Sequence, residues 1–514
     1  MNRKHSTTMK PVLSANKRSA IILLALLAAP ALARADGNAD VGVPRLGLDP
    51  GEPQSPSPPP AVPFGVQPAQ SKEYVLDFHG YLLLPATLGV HDRPDPQPGQ
   101  SSLVLHSPPL VPQDLRDFEY TGVVPSPWLQ LNFIYGNSTV SATVIVAGTS
   151  AIDAAGYYDP VAQMGVNDAY LTVNLTKWLS IPLQVNVGAL TGRYGAMGGY
   201  DAGRYGTPLI ARTNTIGETI TGSLKLGADL FLMFEQGLGG QMGRPPIGLV
   251  PAGWNDFANA NVGATFVNHA HLGLAYSQLL RLGFHYLTAW TQDDLADGGG
   301  GQVPDGRITV LGADVNLTAG RAGHLYFGAA HTWATNASTV SGAIEILNAR
   351  GGPELVANYL GAQSNGNGSL TIFGGQYDLS IARLVFGKWY TGNSPDVLIS
   401  LFGVGAKVSS QDPTQDGVLK LKAGVEATYT FQSWMGVSER FDHVREDNSD
   451  SKQAFTSLAS RLLFHTGWRS RNEIALQYAY FVYGSSVQAL TGYPPVLEVN
   501  PDRQVFSLTG TIWW

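Results

Sequence analysis

The feature that most restricts this chain is a hydrophobic period of two. Between Asp502 and Trp514, Phe506, Leu508, Gly510, Ile512 and Trp514 fall on one parity, and Ser507, Thr509 and Thr511 fall on the other. Successive side chains of a strand point to opposite faces, so this segment is a strand with one apolar and one small polar face. Residues 417–431 repeat the pattern with charges. Leu419, Leu421, Ala423, Val425, Ala427, Tyr429 and Phe431 share a face, and Lys420, Lys422, Glu426, Thr428 and Thr430 share the opposite one. Charges on the second face call for water there. An apolar face ending in aromatics suits hydrocarbon bounded by an interfacial girdle.

The same period recurs along the chain. Strands are predicted over 73–84, 128–135, 139–148, 168–176, 181–191, 216–226, 229–237, 259–276 and 281–293. They continue over 307–318, 323–335, 369–381, 396–409, 417–431, 434–446, 453–466, 471–484 and 503–514. This amounts to about 18 strands, with 16 as the alternative count. Connections alternate in length. Tight turns fall near 136–138, 177–180, 227–228, 277–280, 319–322 and 432–433. Long polar loops fall near 85–126, 149–166, 193–214, 238–257, 294–306, 337–368, 410–416, 446–452 and 485–502. Backbone in hydrocarbon must satisfy its own hydrogen bonds, so an apolar-outside strand series has to close on itself. The expected fold is all-β: a transmembrane antiparallel up-and-down β-barrel over 72–514, with short periplasmic turns and long extracellular loops. The competing arrangement, a large soluble sandwich or propeller, does not account for apolar faces that end in aromatics at the turns.

The N-terminus supplies an address. Arg3, Lys4, Lys10, Lys17 and Arg18 precede an apolar run from Ala20 to about Ala29, and Ala33-Arg34-Ala35 is a small-x-small cleavage site. Residues 1–35 therefore read as a signal peptide. Its removal leaves 26 basic against 39 acidic residues, so the net charge moves from −7 to −13. That balance disfavours nucleic acid, which requires basic stripes. The sequence has no Cys, so no disulfide stabilises it after export. Beyond the signal no apolar run is long enough for a helical span. Residues 36–71, with QSPSPPP at 54–60, form a Pro-rich periplasmic arm.

With the strand series and the terminal Gly510, Ile512, Trp513 and Trp514 in view, the chain resembles Gram-negative outer-membrane porins. Its C-terminus is similar to the assembly signal of such barrels, although adjacent tryptophans depart from the usual alternate spacing. Asp77-Phe78-His79-Gly80-Tyr81 is similar to the opening strand of sugar-specific porins, and Asn167–Gly195 to strand pairs of substrate-specific porins. The resemblance covers about residues 72–514 and fixes no single porin family. It implies export to the outer membrane, contact with outer-membrane lipid and insertion by the barrel-assembly machinery. It also implies passive diffusion of small hydrophilic solutes through a water-filled lumen and, frequently, homotrimers. It implies no cofactor.

Candidate functional residues follow from lumen width and lining charge. Arg193, Arg204 and Arg212 concentrate in one Gly- and Tyr-rich loop, where cations at a constriction would favour anions; a solvated loop is the plainer reading. Lys225, Lys420, Lys422, Glu426, Arg440 and Asp442 face the lumen by parity or strand position, either lining a pore or bracing its wall. Ala343, Ile344, Ile346 and Leu347 recur at helical spacing, so 339–361 is expected to carry one or two short helices, folded inward or capping the rim. His269 and His271 share a strand face but lack further ligands. Asp293, Asp294, Asp297 and Asp305 match no calcium loop, so no metal is expected. No G-x-S-x-G or HExxH segment occurs, so no enzyme is expected. The alternatives to a channel are an occluded surface-interaction barrel and, behind it, an outer-membrane enzyme.

Overall fold

The computed structural model describes residues 73–90, 128–149, 163–179, 181–196, 208–241, 265–277, 279–291, 305–340, 344–349, 352–387, 395–432, 434–465, 473–485, 488–491, 496–499 and 503–513. The signal peptide, the whole of the Pro-rich arm, Arg204 and Trp514 lie outside them.

Eighteen antiparallel strands form the wall. They are β1 (Val75–Val90), β2 (Trp128–Gly136), β3 (Val140–Thr149), β4 (Gln163–Asn174), β5 (Leu183–Ala196) and β6 (Pro208–Lys225). Next come β7 (Leu230–Gln241), β8 (Thr265–Tyr276), β9 (Leu280–Thr291), β10 (Arg307–Thr318), β11 (His324–Thr335) and β12 (Gly368–Ser380). The last are β13 (Asp396–Ser410), β14 (Leu419–Gln432), β15 (Met435–Arg445), β16 (Ala454–His465), β17 (Glu473–Tyr483) and β18 (Arg503–Trp513). Each strand pairs with its neighbours in sequence. The ring closes at β1, whose first half pairs with β2 (Val75↔Gly136 to Leu83↔Trp128) and whose second half pairs with β18 (Tyr81↔Trp513 to Val90↔Gln504). Pro85, which has no N–H, falls in the half of β1 that has only β18 beside it, as a strand proline should. The barrel is up-and-down, and the larger of the two expected strand counts is the observed one.

Side-chain parity sorts as the alternation requires. Val425 and Tyr429 of β14 are exposed on the outside, and Lys420, Lys422, Glu426, Thr428 and Thr430 are buried on the inside. On β18, Phe506, Leu508 and Ile512 are exposed, and Val505 and Ser507 are buried. On β4 the parity changes: Met164 and Val166 are exposed, and so is Leu171. A bulge absorbs the change, since Asp168 pairs with Ile145 and Val166 with Val146, leaving Asn167 over. At the turn after β2, the Asn137 side chain accepts from the Thr139 and Val140 N–H groups at 2.9 and 3.0 Å. This is a side-chain turn of the kind asparagine favours.

Several strands run past their expected ends. Residues 85–90, 163–166, 193–196, 208–214 and 238–241 were expected in loops and are strand; of the strand expected over 259–276, residues 259–264 lie outside the described residues and Thr265–Tyr276 is strand. The helices expected in 339–361 are also revised. Ile344–Ala349 and Gly352–Leu355 are strands, and Val356–Leu360 is a five-residue helix. Ile344 and Ile346 are both buried, so the spacing that counts there is two.

Candidate functional site

A barrel of this strand number encloses more space than wall side chains fill, so its function turns on what enters the interior. One element does. The β5–β6 hairpin leaves the wall and folds inward, so that the start of β6 lies against β10, β11 and β12. Leu209 and Ile210 are 0% exposed there. Burial of two such side chains is worth about 1.5–3 kcal/mol each.

Glycines make the close approach possible. Gly312, Gly328 and Gly374 stand on the inward parity of β10, β11 and β12, and Gly328 pairs directly with Gly374. A Cβ at Gly312 would stand 2.9 Å from Ile210 Cγ2; at Gly328 or Gly374 it would stand 3.2 or 3.1 Å from a Leu209 methyl. Around this strip the inner wall is apolar: Ile308, Val310, Ala330, Leu370, Ile372, Val404 and Ala406 are buried in one cluster with Leu209 and Ile210. The hairpin bends at Gly195, where the β5–β6 register shifts between Tyr194 and Ala196. Gly195 has φ +70°, a conformation glycine adopts without strain. The strand Ile344–Ala349 adds to the free edge of the hairpin through Ile344↔Thr213 and Glu345↔Arg212. The following helix packs on β12 and β13, and its Leu360 carbonyl accepts from Ser410 Oγ.

Where the hairpin meets β7–β9 the contact is polar. The Tyr194 hydroxyl donates to Glu235 Oε1 at 2.8 Å and meets His269 Nδ1 at 2.6 Å. His269 Nδ1 also lies 3.4 Å from the same Glu235 oxygen. Beside them His271 and His285 stack with ring centroids 4.4 Å apart and Nδ1 atoms at 3.0 Å. His285 Nε2 lies 3.3 Å from Asp314 Oδ1.

On the far side, β14–β16 carry an ion cluster. Arg440 donates from Nε and Nη2 to the two Asp442 oxygens at 2.8 and 3.2 Å, and from Nη1 to Glu426 at 3.3 Å. Arg461 and Ser438 also donate to Glu426. Lys420 reaches Glu446 at 3.5 Å. On β2–β5 amides and hydroxyls bond to one another: Gln130 donates to Asn132, and Thr172 and Gln184 both donate to Asn186.

The residues singled out from sequence thus occupy three places. Arg193 and Arg212 are backbone partners on the inward hairpin. The buried Arg212 Nε has no hydrogen-bond partner among the described residues. Lys420, Lys422, Glu426, Arg440 and Asp442 sit together on the inner wall of β14–β15, buried. Lys225 ends β6 at the short-turn rim, exposed, with its Nζ 5.9 Å from the Phe231 ring centroid. Gly510 and Ile512 are in β18 opposite Leu84 and Leu82, and Trp513 ends that strand. His269 and His271 do share the inward face, but among the described residues no group of three His, Cys, Asp or Glu side chains is arranged to hold a metal. Asp305 lies at a strand start; Asp293, Asp294 and Asp297 fall outside the described residues.

Sequence reading missed Tyr194, Leu209, Ile210, Glu235, His285 and Asp314, and the glycine strip. One signal for the strip was present: 308–311 reads ITVL, apolar on both parities, where a wall strand facing only water inside would alternate.

No protein-family model and no curated protein matches the chain. Among solved structures it is similar to OmpT, an outer membrane protein of Vibrio cholerae, at 10% identity over 87% of this chain and 100% of that one, with a TM-score of 0.35. It is similar to Pseudomonas aeruginosa OccK1 (OpdK) at 12% identity over 85% and 99%, TM-score 0.37. Acinetobacter baumannii OccAB1 matches at 7% identity over 85% and 96%, TM-score 0.39.

Proposed function

We propose that this protein is a channel of the Gram-negative outer membrane through which small hydrophilic solutes diffuse passively, and that the β5–β6 hairpin sets its narrowest section. The observation that carries this reading is the closed 18-strand wall with apolar side chains outside and hydrogen-bonded polar and charged side chains inside. A closed barrel needs no edge protection in lipid, and its outer apolar face has hydrocarbon as its natural solvent. Residues 1–35 would direct export, and the β18 terminus, Gly510 to Trp514, would be read by the assembly machinery.

The inner wall suits mixed polar solutes. It carries amides and hydroxyls on β2–β5 and paired charges on β14–β16, and Arg193 and Arg212 are backbone partners on the inward hairpin. Replacing Arg193, Arg204 and Arg212 together by Gln is expected to move ion selectivity toward cations, read as a shifted reversal potential in planar bilayers. An unchanged potential removes them from the constriction. Deleting 339–361, which adds a strand to the hairpin, is expected to raise single-channel conductance.

One observation favours a second reading, an occluded barrel whose loops bind a surface partner: the strip from Ile308 to Val404 seats the hairpin on an apolar inner wall. Reconstitution of the folded chain separates the two. Stepwise conductance supports the channel, and bilayers that stay silent support the occluded barrel.

A further inference from the structure

We propose that two copies of this chain pair side by side in the membrane through the outer face of β6–β8, about a two-fold axis that runs along the membrane normal in front of β7. The proposal rests on the reading that the barrel spans a membrane, and not on whether its lumen conducts.

Hydrocarbon offers polar side chains no partner, so an outer wall should be apolar between its aromatic edges. On β6–β8 it is not. Glu218 shares its face with the exposed Ile216 and pairs with the exposed Leu238 of β7. Gln236, two residues before Leu238 and so on the same face, is itself exposed. Asn268 of β8 pairs with Leu238 from the other side and shares its face with the exposed Leu272. One carboxyl and two amides thus surround one outward leucine. They do not belong to the rim. Phe266 and Trp290 stack on this face beyond Asn268, with centroids 5.8 Å apart, and Tyr276 is exposed at the opposite end of β8. Among the described residues none of the three side chains has a hydrogen bond or an ion pair. Other outward polar groups do: Glu439 accepts from the Ser460 hydroxyl at 2.7 Å, and the Thr288 and Thr309 hydroxyls bond at 3.3 Å.

The group is complementary to itself. Glu218 brings acceptor oxygens, and each amide brings two N–H donors and an oxygen. About a two-fold axis in front of β7, β6 of one copy stands opposite β8 of the other. Glu218 then meets Asn268 of the partner subunit, and Gln236 meets Gln236 of the partner subunit, with Ile216, Leu238 and Leu272 packed around them. Such a contact is isologous and closes at two copies. A three-fold ring does not provide it. There each copy uses two different faces, about three strands apart on an 18-strand wall. Three strands from β7 stand β4 and β10, whose outward Leu171 and Leu311 are exposed and give Glu218 no donor. A lipid headgroup could supply donors only at the rim, not between the aromatic edges.

The sequence has no Cys, so a single introduced thiol reports on contact. The full chain carrying Leu238→Cys, next to the axis, and the full chain carrying Leu476→Cys, on the far side of the ring, are folded in lipid vesicles and treated with a short bis-maleimide. Leu238→Cys is expected to give mainly covalent dimer and Leu476→Cys none. Light scattering of the unmodified chain in mild detergent is expected to give the mass of two copies. Adding Glu218→Leu, Gln236→Leu and Asn268→Leu to the Leu238→Cys chain is expected to reduce the dimer about ten-fold while strand content by circular dichroism is kept. Glu439→Leu, made in place of those three, is expected to leave the dimer unchanged. A mass of three copies, equal cross-linking at 238 and 476, or a dimer that survives the three leucines overturns the pairing. Vesicle flotation separates the readings. Chain that does not float with the vesicles rejects the membrane-spanning wall and the pairing with it; chain that floats and stays monomeric rejects the pairing alone.

Discussion

Gly328 shows how much one absent side chain decides. Its neighbours on the inward face are the Leu209 methyl and the Tyr326 hydroxyl, 3.2 and 2.9 Å from where a Cβ would sit. Contacts that short force something to move. The start of β6, which has left the wall, moves more readily than a wall strand bonded along its length on both sides. Gly328→Val is therefore expected to lift the hairpin and raise conductance while the barrel still folds. Leu209→Ala attacks the same contact from the other side. It is expected to cost the hairpin about 2–5 kcal/mol of local stability, seen as faster exchange of the 209–215 amides. Equal exchange in native and Leu209→Ala protein would mean the seat does not hold the hairpin. Arg440 makes the opposite kind of contribution. It is buried and bridges Glu426 and Asp442, and with Arg461 on Glu426 two cations balance the two carboxylates buried in the inner wall.

At the scale of elements, β6 is two structures in one strand. Its second half is wall, bonded to β5 and β7; its first half, from Pro208, has left the wall and is bonded to β5 and the strand at Ile344. A segment whose faces meet a barrel interior does not show the apolar-polar alternation of a lipid-facing strand, so 193–214 read as a loop. The segment 339–361 misled for a related reason: buried on more than one side, it has apolar residues at spacings that fit a helix as well as a strand. The loop between β13 and β14 is anchored to it by Asp412. That carboxylate accepts from the Thr414 hydroxyl at 2.7 Å, the Thr414 N–H at 2.9 Å and the Gln363 N–H at 2.9 Å. The Thr414 hydroxyl first, then the two N–H groups, hold its carboxyl below the ordinary carboxylate value. A lowered value means the anchor is at full strength above about pH 4 and is lost as pH falls through the depressed value. Exchange of the Gln363 and Thr414 amides is expected to quicken in acid below that point and Asp412→Asn to remove the dependence. A pH-independent rate in the native chain would discard the anchor.

At the scale of the whole molecule, the ring depends on β1 serving two partners in succession, so the first and last strands of the wall are held together without an edge. On the channel reading, inside and outside have different solvents, and neighbouring residues report them. Val187 and Asn186 are consecutive on β5; Val187 is 52% exposed on the outer face, and Asn186 accepts from Thr172 and Gln184 on the inner one. Val187→Arg is expected to cost about 2–4 kcal/mol in denaturant unfolding from lipid vesicles. Asn186→Arg is expected to cost under half as much, because the arginine meets polar neighbours. Equal costs would mean that the outer face does not meet hydrocarbon.

The wall was legible from sequence because its causes are local. Alternation at period two, Gly136-Asn137 and its like at the turns, and the contrast between short and long connections each depend on residues close in the chain. Together they give a strand series of about eighteen, with sixteen as the alternative, its order and, on β14 and β18, the faces; the closed ring of the structure decides for eighteen. The Lys420–Asp442 group was placed inside for the same reason. What sits in the interior was decided by tertiary structure alone. Gly312, Gly328 and Gly374 become one strip, and Tyr194 finds Glu235 and His269, only when strands far apart in sequence curve round to face one another. Parity tells a residue which side of the wall it is on; it carries no information about what stands opposite.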